Sequence, residues 1–121
     1  MKYTESHEWV DVQSGTGIAT VGITQHAQQE LGEIVYVELP EVGKEIKAGA
    51  EVAVLESTKA AADVYTPVSG KIVAVNEKLR EAAELVNQAP ESDGWLFKIQ
   101  MKDPKELDSL MDAKTYHNQF D

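Results

Sequence analysis

Apolar residues in this chain recur in short runs broken by glycine and proline. The runs at 18–21, 34–39, 52–55, 71–75 and 95–99 are four to six residues long and rich in β-branched side chains. Runs of that length, with turn residues between them, predict strands of a sandwich or barrel. Two stretches show a helical spacing instead. From about Gln25 to Leu31, Ala27 and Leu31 share a face, Thr24 can cap the first turn, and Gly32 suits a left-handed stop. Near Pro104 a second helix is expected, with Asp103 as N-cap and Leu107, Leu110 and Met111 as its apolar face. It restarts around Asp112 to Tyr116, and the last residues are expected to fray. The segment from Leu79 to Gly94 is polar and reads as a long ordered loop with a helical turn, anchored by Leu85 and Val86. No break in composition divides the 121 residues, so one domain spanning 1–121 is expected.

Composition narrows the chemistry. The chain has 11 Lys+Arg, 21 Asp+Glu and no cysteine, a formal net charge of −10. Absence of cysteine removes disulfide frameworks, thiolate nucleophiles, iron–sulfur clusters and Cys-based zinc sites. The acidic balance repels phosphate backbones and anionic membranes. No stretch approaches the roughly 20 apolar residues a spanning helix needs. The first residues, Met1-Lys2-Tyr3-Thr4-Glu5, form no apolar signal region, so a cytoplasmic protein is expected; a monomer is expected as well. His7, His26 and His117 form no helical ligand pair and no metal motif, and His7 and His117 attract no functional reading. Trp9 and Trp95 read as core or rim anchors.

One lysine stands apart. Glu56-Ser57-Thr58-Lys59-Ala60-Ala61-Ala62-Asp63 lies between two expected strands, which places Lys59 near a hairpin tip. Asn-Gly and Asp-Gly, the strongest hairpin signals, are absent. Ser57 and Lys59 fit the first and third positions of a type I turn, which needs no positive φ. Small neighbours leave the amine open to an acylating enzyme. By position alone Lys59 reads first as one ordinary surface cation among 11 basic residues. A Schiff-base role needs a depressed amine pKa. Glu56, Asp63 and an exposed turn work against that.

The same octapeptide closely resembles the lipoyl-attachment motif of the glycine cleavage system H-protein family. The resemblance extends to Ser6-His7-Glu8-Trp9-Val10, to 21–28, to 31–40, to Tyr65-Thr66-Pro67-Val68-Ser69-Gly70, to Asp93-Gly94-Trp95 and to the closing Leu107 to Tyr116 segment. These blocks stand in the family's order over nearly the whole chain.

The resemblance implies a mainly β fold, a barrel-sandwich hybrid of two antiparallel sheets with a short helix in the N-terminal half and a C-terminal helix. It implies a carrier with no catalytic residues of its own and with lipoate in amide linkage to Lys59. The implied partners are a glycine decarboxylase (P-protein), an aminomethyltransferase (T-protein), a dihydrolipoyl dehydrogenase (L-protein) and the lipoate-attaching enzymes. A side role in relaying lipoate to other enzymes is the alternative, and a small enzyme using Lys59 covalently is a weaker one. The family's pocket for the aminomethyl-loaded arm matches Glu8, His26 and Asp63. Carboxylates there can hold a protonated amine, and a neutral His26 can accept a hydrogen bond from it.

Two features outside the motif complete the reading. Residues 30–56 carry Glu30, Glu33, Glu38, Glu41, Glu45, Glu51 and Glu56 against Lys44 and Lys47, a local net charge of −5. Such a face either docks on basic partner patches or only keeps the chain soluble. In the 79–94 loop, Ala83 and Glu91 depart from the family pattern, where proline and an aromatic are common, and leave that loop's conformation open.

A biotin carrier would share the fold but flanks its lysine with methionines, whereas Thr58 and Ala60 stand here. A lipoyl domain of a 2-oxoacid dehydrogenase would carry Asp directly before the lysine.

Overall fold

The five expected strands form, and five more join them. A computed structural model describes residues 1–120. The strands are β1 (Lys2–Tyr3), β2 (Glu8–Gln13), β3 (Ile18–Ile23), β4 (Ile34–Glu38), β5 (Glu45–Ile46), β6 (Glu51–Ser57), β7 (Ala61–Tyr65), β8 (Gly70–Val75), β9 (Phe97–Met101) and β10 (Met111–Asp112). Helices α1 (Gln25–Leu31), α2 (Leu85–Gln88) and α3 (Ala113–Phe120) lie between or after them. Every strand pairing is antiparallel. One sheet runs β10-β1-β2-β3-β9-β8-β5 and the other β4-β6-β7. This is the two-sheet, mainly β architecture the sequence implies.

The sheets enclose one apolar core that includes Val10, Val21, Leu55, Val68, Ile72, Phe97 and Ile99, each 1% exposed or less. A second cluster joins Tyr3, Trp9 and Tyr116, with Trp95, Met111 and Phe120 packed on it. Trp9 is buried there and donates its Nε1–H to Pro90 O at 2.9 Å. Trp95 sits at the rim under the Lys98 ammonium.

Helix α1 matches its expected limits. Thr24 Oγ1 accepts the Ala27 N–H at 3.2 Å. Gly32 ends it with φ 79° and ψ −154°, an extended mirror-image conformation in place of the expected left-handed one.

The segment after Pro104 departs from its expectation. Asp103 does cap it, accepting from the Lys105 N–H, but the helix is a short 3₁₀ turn over Pro104–Ser109. Leu110 is extended (φ −93°, ψ 157°), so the chain enters β10 and Met111 pairs with Tyr3. The apolar trio is therefore divided. Leu107 and Leu110 pack on the main core, and Met111 on the aromatic cluster. Helix α3 continues to Phe120 with no frayed end among the described residues, because Tyr116 is buried and Phe120 packs beside it.

The 79–94 loop is ordered by three polar anchors. Asn76 Nδ2 donates to Asp93 O and Trp95 O. Asn87 Oδ1 accepts the Ile34 N–H at 2.8 Å while its Nδ2 donates to Gly32 O at 2.8 Å. Glu91 Oε2 accepts the Gln25 N–H at 2.9 Å, placing a carboxylate on the free amides that open α1. Val86 is buried and Leu85 partly so, as expected of the apolar anchors, and Leu79 is buried too.

Candidate functional site

Lys59 lies between the last residue of β6 and the first of β7, at the hairpin tip. Strands β6 and β7 pair from Glu56↔Ala61 downward, and Ser57 N donates to Ala60 O at 2.8 Å to close the end. The turn itself is held by a side chain. Ser57 Oγ accepts from both Lys59 N and Ala60 N at 3.1 Å. A second tie fixes the tip to the body, since Thr58 N donates to Glu33 O at 3.0 Å. No positive φ occurs at the tip, as a type I turn requires. Lys59 is exposed and has no ion-pair partner among the described residues.

The stem of Lys59 folds back over Gly32. A methyl group placed on Gly32 would lie 3.3 Å from Lys59 Cε and 3.7 Å from Nζ. Gly32 is where α1 ends, and α1 is one wall of a cleft of about 260 Å3. Ala27, Glu30 and Leu31 come from that helix, and Ala62, Asp63 and Val64 from β7, the strand that leaves the lysine tip. Ser6, His7 and Glu8 close the third side, with Ile23 and Leu55 also lining it. A larger hollow of about 680 Å3 lies at the β5–β8–β9 edge, but none of its lining residues belongs to α1 or to the lysine hairpin.

The cleft is apolar-walled with acids in it, which suits a long aliphatic acyl group ending in an amine. Glu8 is 2% exposed. Thr4 Oγ1 and Ser6 Oγ both donate to its Oε1, and Tyr65 N donates to Oε2 at 3.2 Å. Burial raises its carboxyl above the ordinary value, while these donors pull the other way. Asp63 is exposed and faces the same cleft from β7.

His26 stands one ring behind the cleft wall. Its Nε2 is 2.8 Å from Glu30 Oε1, and its ring stacks on His7 with centroids 4.4 Å apart. The imidazole that lines the cleft is His7. Sequence reasoning passed over His7, and the signal that could have found it is its place inside the Ser-His-Glu-Trp block beside Glu8. Asn87, which holds the carbonyl of Gly32 beneath the lysine, carried no sequence signal, because its partners come from α1 and β4.

The chain is similar to known proteins along nearly its whole length. The family model described as glycine cleavage H-protein matches residues 1–121. The glycine cleavage system H protein of Thermotoga maritima is 58% identical over 115 residues, 95% of this chain and 91% of that one. That of Alcanivorax borkumensis is 54% identical over 121 residues, 100% of this chain and 93% of that one. A crystal structure of the glycine cleavage system H protein from Mycobacterium marinum superposes with a TM-score of 0.88 at 37% identity, covering 98% of this chain and 94% of that one. A two-sheet carrier fold with an exposed lysine tip, and this similarity along its whole length, establish that the chain belongs to the glycine cleavage H-protein family.

Proposed function

We propose that the chain acts as one lipoyl-carrier domain, with lipoate in amide linkage to Lys59 and a loaded arm that lies in the cleft between α1 and β7. Family membership makes it the non-catalytic carrier subunit of the glycine cleavage system. Lipoate so held supplies the dithiol chemistry that a chain without cysteine lacks.

The observation that carries the reading is the placement of Lys59. It is exposed on a tip braced by Ser57, and its stem lies over Gly32, the residue that follows Leu31 of the cleft wall. The chain's own residues then have separate tasks. Ser57 and the Thr58–Glu33 bond hold the tip in one shape for an acylating enzyme to grip. Leu31, Leu55 and Val64 offer an aliphatic arm apolar contact. Glu8 and Asp63 draw a protonated amine to the cleft and lower its exposure to water.

The partners in this reading are the decarboxylase, the aminomethyltransferase, the dihydrolipoyl dehydrogenase and the lipoate-attaching enzymes, met in turn at the same tip. All seven acids of residues 30–56 are exposed. They steer the carrier toward basic partner patches with contacts weak enough to release.

The test is intact mass after incubation with a lipoate ligase, lipoate and ATP. The wild-type chain gains one lipoyl increment and supports glycine cleavage with the partner enzymes. Lys59→Arg gains none and supports no turnover. Turnover with Lys59→Arg would end the proposal.

A further inference from the structure

Among the described residues, His7 is the only one other than glycine with a positive φ, 72°. Histidine is one of the few side chains enriched in that region, and strained backbone concentrates at functional positions. The strain is held by a tight turn: Thr4 N donates to Glu8 O, His7 N to Thr4 O, and Thr24 N to His7 O. The turn serves to present the ring. His7 lines the cleft beside Glu8 and across from Asp63. Its ring is gripped on three sides, stacked on His26 and met edge-on by Tyr116 and by Phe120 at 4.7 Å. Nδ1 is 2.7 Å from the Tyr116 hydroxyl, which is itself 2.8 Å from Thr24 Oγ1. Nε2 has no partner.

We propose that His7 is a cargo-binding residue of the cleft, whose Nε2 accepts a hydrogen bond from the protonated amine at the end of the arm, with Tyr116 as the positioning residue that fixes its tautomer. The inference rests on the carrier reading above and adds to it the group that meets the amine. In the proposed arrangement His7 Nδ1–H donates to the Tyr116 oxygen and the Tyr116 O–H donates to Thr24 Oγ1, a direction that the tautomer of His7 reports. Thr24 accepts this and the Ala27 N–H with its two lone pairs. That leaves Nε2 bare, as an acceptor must be.

The surroundings keep the ring neutral. Burial lowers the His7 pKa first and the neighbouring His26 lowers it further, against an opposing pull from Glu30. Glu8 of β2 and Asp63 of β7 line the same cleft, Tyr116 of α3 meets the ring, and His117 packs on Tyr116. A neutral imidazole accepts from an ammonium, whereas a protonated one would repel it.

The test uses full-length protein, lipoylated and then reduced, with histidines labelled with nitrogen-15. The arm is loaded by condensing one thiol with one formaldehyde and one ammonia, which releases one water. At pH 7.5 the His7 signals are expected to show the Nδ1–H tautomer, with the Nε2 resonance moving on loading. The Nε2–H tautomer, or no movement on loading, would overturn the proposal. A second arm follows loss of the loaded group as released formaldehyde. His7→Asn keeps a residue tolerant of positive φ but ends short of the position that Nε2 occupies. Loss is expected to be about fivefold faster, the equivalent of one modest hydrogen bond. Tyr116→Phe is expected to scramble the His7 tautomer while leaving the fold's melting temperature within a few degrees. Equal loss rates for wild type and His7→Asn refute this inference alone, whereas failure of Lys59 to take up lipoate refutes the carrier reading beneath it.

Discussion

The carboxylate of Glu8 receives the backbone N–H of Tyr65 at 3.2 Å, and so ties β2 of the large sheet to β7 of the small one. The same carboxylate accepts both hydroxyls of the Thr4–Ser6 turn. Glu8 is thus a structural link as well as a cleft acid, and its two roles separate by substitution. Glu8→Ala leaves the Tyr65 amide without its acceptor and is expected to cost about 2–4 kcal/mol. Glu8→Gln keeps an oxygen for Tyr65 and an amide that the two hydroxyls can turn to accept, and is expected to stay within about 1 kcal/mol of wild type. Urea unfolding at pH 7 decides between them, and equal losses would mean the link is not made by this side chain.

The pH dependence of Glu8 has the opposite sign to that of a salt-bridged acid. Burial raises its carboxyl from the ordinary 4.5. Between that value and the higher folded one, the native chain binds more protons than the unfolded chain. Stability supplied by Glu8 therefore falls as pH rises through the window above 4.5 and levels off beyond it. The difference in unfolding free energy between wild type and Glu8→Gln, measured from pH 4 to 7, should shift against wild type as pH rises. A difference that stays flat would show that the carboxyl is not raised in the folded state.

The lysine tip was legible in the sequence because its signal is local: a serine at the right place, small neighbours and apolar runs on both sides. The strands expected from apolar runs formed, since β-branched residues in short runs need only a sheet face to pack on. Strand β7 was less visible because Ala61, Ala62 and Asp63 carry little strand preference, and it forms by pairing with β6. Strands β1, β5 and β10 are two residues each, too short for any periodicity to show. The Pro104 segment misled because Leu107, Leu110 and Met111 fit a helical stripe, yet two separate clusters claim them. The arrangement around His7 depends on Tyr116, 109 positions away, and no local pattern encodes such a contact.

The Ser57 hydroxyl is the brace of the tip, so Ser57→Ala should loosen the shape an acylating enzyme reads. The freed Lys59 and Ala60 amides face water, which limits the stability cost to about 0.5–1.5 kcal/mol. Lipoyl addition, followed by intact mass against time, is expected to slow several-fold, with Ser57→Thr restoring most of the rate because it keeps the oxygen. An unchanged rate for Ser57→Ala would mean that the enzyme reads the lysine without regard to the turn.

Asp63 and His26 should differ in their effect on a loaded arm. Asp63 faces the cleft, whereas His26 stands behind His7 with its Nε2 on Glu30. Loss of a charge-assisted contact worth about 1.5 kcal/mol corresponds to roughly tenfold. Asp63→Asn is therefore expected to release the aminomethyl group about tenfold faster, and His26→Gln to have the smaller effect, acting only through the His7 stack. The reverse order in a formaldehyde-release assay would place His26 in direct contact with the cargo.

Gly32 connects the helix wall of the cleft to the lysine arm, and an added methyl group there meets two separate obstacles. The backbone at φ 79° and ψ −154° is hospitable only to glycine, so Gly32→Ala carries a strain of about 1–3 kcal/mol. The new Cβ would also stand 3.3 Å from Lys59 Cε and push the stem away from the cleft. Asn87→Ala separates these effects. It removes the bonds to Gly32 O and Ile34 N and so loosens the same loop at a comparable cost, but adds nothing beneath the lysine. Both variants are expected to unfold at lower urea than wild type. Only Gly32→Ala should also speed loss of the loaded group, because only there is the path from Lys59 into the cleft obstructed. If the two variants lost the group at equal rates when compared at matched stability, the arm would have to enter the cleft by a route that avoids Gly32.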